Sequence, residues 1–183
     1  MNSNSMTYQA YVQILKEELL PAMGCTEPIA IAYCAAKARD VLGEIPDSIE
    51  VEASGNIIEK CQKRCRSQHR GRKGLEAAAA IGVLGGEADK GYEVIASVRP
   101  ETKNEARRVS CDNTHQGAAA DSDHVLDVSV LVRKGEHHAL VRAVNEHTNI
   151  VRIEKDAQVL LDRHPSESRE DERRALLNIH DNL

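Results

Sequence analysis

Apolar residues recur at helical spacing from the start of the chain. Tyr8, Tyr11, Val12, Leu15 and Leu19 share one face over residues 7–23, which predicts a helix with one wet side. Pro21 sits near its end, where a helix stops or bends. A second helix is predicted from Thr26-Glu27-Pro28 to about Leu42. Thr26 reads as its N-cap, Glu27 suits the positive helix end, and Pro28 suits the first turn. Its body, IAIAYCAAKARDVL, begins apolar nearly all round, so this helix belongs in the interior. Gly43 is its stop.

Ser48–Ala53 alternates Ile49 and Val51 with Glu50 and Glu52, the period of a half-buried strand. Ser54-Gly55-Asn56 reads as a turn. Residues 60–73 show no period and are strongly basic, residues 74–84 form an Ala-rich helix closed by Gly85 and Gly86, and residues 89–106 suggest a further helix broken near Pro100. Residues 107–120 are again aperiodic. From Val125 the pattern changes to VLDVSVLVR, a Lys134-Gly135-Glu136 turn, HALVRAV, NIVRIE and QVLLD. A glycine turn between two alternating runs signals a hairpin. Beyond His164 and Pro165 the tail reads as the first turns of a helix with no visible end. There are no tandem repeats. The fold class expected is α+β, with N-terminal helices followed by a mainly antiparallel sheet. Residues 1–183 read as one incomplete domain, cut off at its C-terminal side.

Composition narrows the function classes. The 183 residues carry 24 Lys+Arg against 29 Asp+Glu, a formal charge of -5, which argues against a general binder of nucleic acid or anionic membrane. No apolar run approaches the roughly 20 residues of a membrane helix, and MNSNSMTYQ lacks the layout of a secretory signal. A cytoplasmic location is expected. Five cysteines are an odd count, and in a reducing compartment a disulfide framework is not expected. Phe and Trp are absent, so the core must be built from Ile, Leu, Val and Ala.

The strongest local chemistry is Met23-Gly24-Cys25-Thr26-Glu27-Pro28. It sets a thiol just ahead of a helix N-terminus, where backbone N–H groups and the helix dipole favour a thiolate, hence a metal ligand or a nucleophile. A small apolar residue at a buried helix start is the plain alternative. Cys34, among alanines, reads as packing. Cys61, Cys65 and His69 have helical spacing, but the surrounding positive charge repels a cation and no fourth ligand is near, so no metal site is assigned. The same stretch lacks the aromatics of a nucleic-acid surface. Ser54-Gly55-Asn56 could present donors to a carboxylate or be a plain turn. His147, Thr148 and Asn149 fall between two strands, where they could bind an anion or a carbonyl, or serve as turn residues. His137 and His138 in the hairpin read as solvent-facing.

Four segments together carry a resemblance: Gly24-Cys-Thr-Glu-Pro28, Ser54-Gly-Asn-Ile-Ile58, the glycine- and alanine-rich run at 71–82, and His147-Thr-Asn-Ile-Val151. In this order they resemble the L-cysteine desulfidase family, relatives of the alpha chain of iron–sulfur L-serine dehydratases. The resemblance implies a lyase that converts L-cysteine or L-serine to pyruvate and ammonia, releasing sulfide or water. It implies a [4Fe–4S] cluster held by three cysteines, with an open iron position acting as Lewis acid. Cys25 matches the first cluster cysteine, and Glu27, Asn56, His147, Thr148 and Asn149 match positions expected to shape a substrate pocket. The catalytic base is not identified.

The resemblance also implies that the other cluster cysteines lie in a C-terminal half or a partner chain, so this chain by itself is expected to be inactive. Where the family carries a strand and a Pro-Asn-Thr-Gly-Gly loop, this chain has residues 61–70. Read one base later, suitable codons for 61–70 can spell VKSVAVPNTG, and those for 107–119 can spell EEFLATTPIKVQL. The charged stretch 60–73 is expected on the surface or irregular, because burying unpaired charge costs several kcal/mol per group. A non-catalytic module that binds an amino acid, and one subunit of a split dehydratase, are the alternatives. Exposed edges of a shortened sheet make self-association, as a homo-oligomer, a further expectation.

Overall fold

The computed structural model describes residues 8, 9, 11, 12, 25–64, 72–102 and 124–164. Tyr8, Gln9, Tyr11 and Val12 are helical. The rest of the helix expected over 7–23, residues 65–71 and 103–123, and the tail 165–183 lie outside the described residues, and with them most of both frame-shift windows.

The chain forms α1 (Thr26–Leu42), β1 (Ser48–Ala53), α2 (Gly55–Arg64), α3 (Arg72–Gly85) and a 3-10 segment (Ala88–Glu93). Four strands follow: β2 (Asp127–Lys134), β3 (His137–Val144), β4 (Ile150–Lys155) and β5 (Gln158–Asp162). The strands make one five-stranded sheet in the order β1-β2-β3-β4-β5, and each neighbouring pair is antiparallel. The α+β class follows from this arrangement, with β1 reaching the sheet from among the helices.

Period-2 patterning decides which face is covered. Ile49, Val51 and Ala53 of β1, Val128, Val130 and Val132 of β2, and Ala139, Val141 and Ala143 of β3 are buried and belong to one core cluster with α1. Their neighbours Glu50, Glu52, Ser129 and Arg142 are only partly buried. α1 lies between this face and α3, in contact with both. That explains its apolar character: Ala30, Ile31, Ala32, Cys34, Ala35, Ala36 and Ala38 are all buried.

Without Phe or Trp, close packing is reached by bringing backbones together. A Cβ on Gly82 of α3 would strike the Ala32 carbonyl of α1, and one on Gly86 would lie 2.9 Å from the Ala36 Cβ. Arg39 then reaches across, donating from NH1 to the Val83 carbonyl and from NH2 to the Gly86 carbonyl, both at 3.0 Å. This occupies acceptors that the end of α3 leaves without helical donors.

Several local expectations are corrected. The N-cap of α1 is Cys25, with extended φ/ψ, and Thr26 is already helical. Gly43 ends the helix as expected, at φ 94°. Ser54-Gly55-Asn56 is not a free turn, because Gly55 opens α2. The Ser54 carbonyl accepts from the N–H groups of Ile57 and Ile58 at 3.0 and 3.1 Å, so a helix takes over directly from the strand. That helix carries the first part of the basic stretch, and it buries Cys61 to 2 % exposure. The irregular path expected for 60–73 is therefore corrected over 60–64, which are helical, with the uncharged Cys61 on the face turned to the core. Of the helix expected over 89–106, broken near Pro100, residues 89–99 do not form a helix as read. The 3-10 segment ends at Glu93, turns follow, and Pro100 begins a helical run with Glu101 and Thr102, a position where its missing N–H costs nothing. The solvent-facing expectation holds for His137 but not for His138, which is half-buried.

Candidate functional site

Chain topology brings the candidate residues to one end of the sheet. Ala53 pairs with Val128 and Asp127 pairs with Val144, so Ser54 to Asn56 and the 145–149 loop leave the sheet at the same end. α1 runs antiparallel to β3. Its Cys34 thiol meets the Ala143 backbone, while the Leu42 carbonyl at its far end accepts from Lys155 Nζ at 3.1 Å, and Lys155 pairs with Ala139. Cys25 lies nine residues before Cys34, about 14 Å along a helix axis, so the first turn of α1 projects past the end of the sheet that carries Asn56 and the 147–149 loop.

At that first turn the Cys25 Sγ donates to Glu27 Oε2 at 2.7 Å, and both residues are half-buried. The carboxylate thus holds the thiol proton in place. A metal taking that sulfur would displace the proton, with Glu27 next to it as an acceptor. Asn56 is exposed on the first turn of α2.

The 145–149 loop is organised by its own backbone. Asn145 sits at φ 67° and donates its N–H to the Leu126 carbonyl at 3.0 Å. Asn149 Nδ2 donates to the Val144 carbonyl at 3.0 Å, so its amide nitrogen is engaged in the turn, while among the described residues no donor reaches its Oδ1. His147 stacks obliquely on Tyr92, ring centroids 6.0 Å apart and tilted by 53°. Tyr92 in turn packs on the small cluster of Ile29, Ala32, Ala36, Ala88 and Val94. Through Tyr92 the loop is tied to the first half of α1.

Gly91 and Tyr92 escaped the sequence reading, which placed them in a helix. Gly91 has φ 53° and ψ -115°, a conformation that glycine alone adopts readily, and it faces the Thr148 methyl. A glycine beside one of only four tyrosines was the available signal.

Cys34 and Cys61 are structural. Burial pushes the Cys34 thiol up to about 12, with the Ala143 backbone opposing and the Asp127 charge adding to the rise. Cys61 belongs to the main core. Cys65, His69, Cys111 and His115 lie outside the described residues. Among the described residues no three His, Cys, Asp or Glu side chains converge on a metal position, and no helix is long and apolar enough to cross a membrane.

Comparison with known proteins identifies relatives by sequence. The chain is 45% identical over 152 residues to a UPF0597 protein of Lachnoclostridium phytofermentans, covering 83% of this chain and 36% of the relative. It is 41% identical over 160 residues to one from Desulfitobacterium hafniense, covering 87% and 37%. A third, from Treponema denticola, is 39% identical over 163 residues, covering 89% and 38%. The chain thus spans little more than a third of the length of the curated relatives it matches. No family model matches the chain, and no solved structure matches it.

These relatives correct the resemblance drawn from the motifs. They carry the name of UPF0597, an uncharacterised family, and do not point to an L-cysteine desulfidase or a serine dehydratase fragment. The physical reason lies in what the motifs build. Cys25 to Pro28 caps and starts α1, Ser54 to Ile58 starts α2, Arg72 to Gly82 starts and carries α3, and His147 to Val151 links two strands. Helix starts and tight links use these residue types in any fold, so four such segments carry less identity than their order suggested.

Proposed function

We propose that this chain supplies one thiolate and part of a small amino-acid pocket to an iron–sulfur-dependent lyase of the cytoplasm. The reaction removes the elements of hydrogen sulfide from L-cysteine, or of water from L-serine, and one water then hydrolyses the resulting 2-aminoacrylate, as its imine, to pyruvate and ammonia. The observation that carries the reading is the Cys25 thiol at the N-terminus of α1, bonded to Glu27 at 2.7 Å, at the end of the sheet where Asn56 and the 147–149 loop also emerge.

The donor set limits what the chain does by itself. Cys25 fits as one ligand of a [4Fe–4S] cluster, but the described residues do not gather three. The remaining ligands come from outside them, in keeping with relatives that are far longer than this chain. A bound cluster would supply a Lewis acid for the departing group. The protein's own part is to orient a substrate: backbone N–H groups at the start of α1 suit its carboxylate, and Asn149 Oδ1 and the Thr148 hydroxyl suit its ammonium.

The test is anaerobic reconstitution with iron and sulfide, using this chain mixed with a polypeptide covering the remaining length of a UPF0597 relative. Iron content, and pyruvate from L-cysteine and L-serine, are measured. Both are expected to be present in the mixture, low in this chain alone, and lost on Cys25→Ala at an unchanged melting temperature. Iron retained at full level in Cys25→Ala, or none in the mixture, overturns the reading. Saturable amino-acid binding without iron would replace it by a non-catalytic binding module.

A further inference from the structure

The face of the sheet opposite α1 carries a second feature, independent of the Cys25 end. A cleft of about 420 Å³ is lined by Arg142, Val151, Arg152, Asp162, Arg163 and His164. A β-bulge builds it. Arg142 pairs with Arg152, but Ala143 pairs with Ile150, which leaves Val151 as the extra residue on β4. Bulges re-aim side chains and are common beside binding sites. Here the Val151 carbonyl accepts the Arg163 N–H at 2.8 Å, extending the β5 edge and setting Arg163 and His164 at the rim.

The guanidinium of Arg142 is fixed by a carboxylate on the neighbouring strand. Asp127, wholly buried, takes Nε at 2.9 Å and NH2 at 2.6 Å, and a fork so held keeps unused N–H donors on a residue that lines the cleft. Arg152 is held by Glu154, and its NH1 lies 3.8 Å from Asp162. The Arg163 and His164 side chains have no ion-pair or hydrogen-bond partner among the described residues. Asp127 and Glu154, neither of which lines the cleft, answer two of the guanidinium charges. Within the cleft, donors on three arginines and a histidine face a single carboxylate.

We propose that this cleft binds a small oxyanion, the phosphate or carboxylate group of a metabolite, with Arg163 as the free anchor and Arg142 and Arg152 as the oriented pair. Bound there, the oxyanion competes with Asp162 for Arg152, so the carboxylate acts as a built-in competitor.

The test is titration of this chain with inorganic phosphate and, separately, with glutarate, followed by calorimetry against chloride of equal ionic strength. At least one is expected to bind saturably, and the tighter of the two assigns the ligand as phosphate- or carboxylate-bearing. Arg163→Gln is expected to weaken that binding about tenfold, the loss of one charged hydrogen-bonding partner. Asp162→Asn is expected to tighten it. Both positions are exposed, and melting temperatures confirm the fold. No saturable binding of either ion, or binding indifferent to both substitutions, overturns the proposal.

Discussion

Asp127 opens β2 with no exposed surface, and Arg142 on the neighbouring strand closes both of its carboxylate oxygens in a two-pronged grip. The two residues sit on adjacent strands close to the end where β3 hands over to the 145–149 loop. The pair couples the interior to the open face of the sheet: Asp127 also acts on the buried Cys34 thiol, while Arg142 lines the cationic cleft.

Removing one partner leaves a buried charge uncompensated, and such losses cost about 3–5 kcal/mol. Arg142→Leu is therefore expected to lower stability towards the lower end of that range, because the arginine is 39% exposed. The double change Asp127→Val with Arg142→Leu should recover most of the loss. Urea denaturation of the three chains measures both effects, and a double variant no better than the single one contradicts this account.

Backbone contact between α1 and α3 makes Gly82 intolerant. Gly82→Ala drives a methyl into the Ala32 carbonyl, and overpacking of this kind costs about 1–3 kcal/mol. A fall of about 2–4 °C in melting temperature per kcal/mol follows for a chain of this size. Gly55→Ala is the control, since a Cβ there meets nothing within 4 Å, and it is expected to leave the melting temperature level or slightly raised.

Alkali should weaken the fold through Cys34. Its thiol is raised from 9.0 to about 12 by burial. Between those values the unfolded chain has lost the proton that the folded chain keeps, so stability falls as pH rises from about 9 towards 12. Denaturant midpoints at stepped pH should show this slope, reduced in Cys34→Ala. The same burial predicts slow alkylation of Cys34 at pH 8 and faster modification of half-buried Cys25, read by mass spectrometry of peptides.

The turn between β4 and β5 responds to acid instead. Asp156 accepts the His138 backbone N–H at 2.9 Å and faces His137 Nδ1 at 3.1 Å. The backbone bond first, then the His137 contact, hold its carboxyl below the usual range. Its contribution is present above the ordinary value of 3.8 and is lost as pH falls through the depressed one. Asp156→Asn should therefore lower the melting temperature at pH 6 and leave it nearly unchanged near pH 2.

Periodic patterns in the chain specified most of the architecture. α1 has the bounds that the apolar run and Gly43 indicated, β1 has the bounds of its alternation, and the four later strands follow VLDVSVLVR, HALVRAV, NIVRIE and QVLLD closely. These features are local: burial of one face imposes period 2 on a strand, and burial on two sides makes a helix apolar all round. What the chain could not reveal alone came from contacts between distant residues. Whether Ser54 ends a turn or starts a helix depended on its bonds to Val125 and Asp127. That Gly91 and Tyr92 meet the 147–149 loop depended on how the 3-10 segment packs on α1. The bulge at Val151, with the arginine cleft it creates, exists only through the pairing of β3 with β4. Side-chain spacing records which face of an element is buried; it does not record which partner covers that face, and the partner decides where charged groups converge.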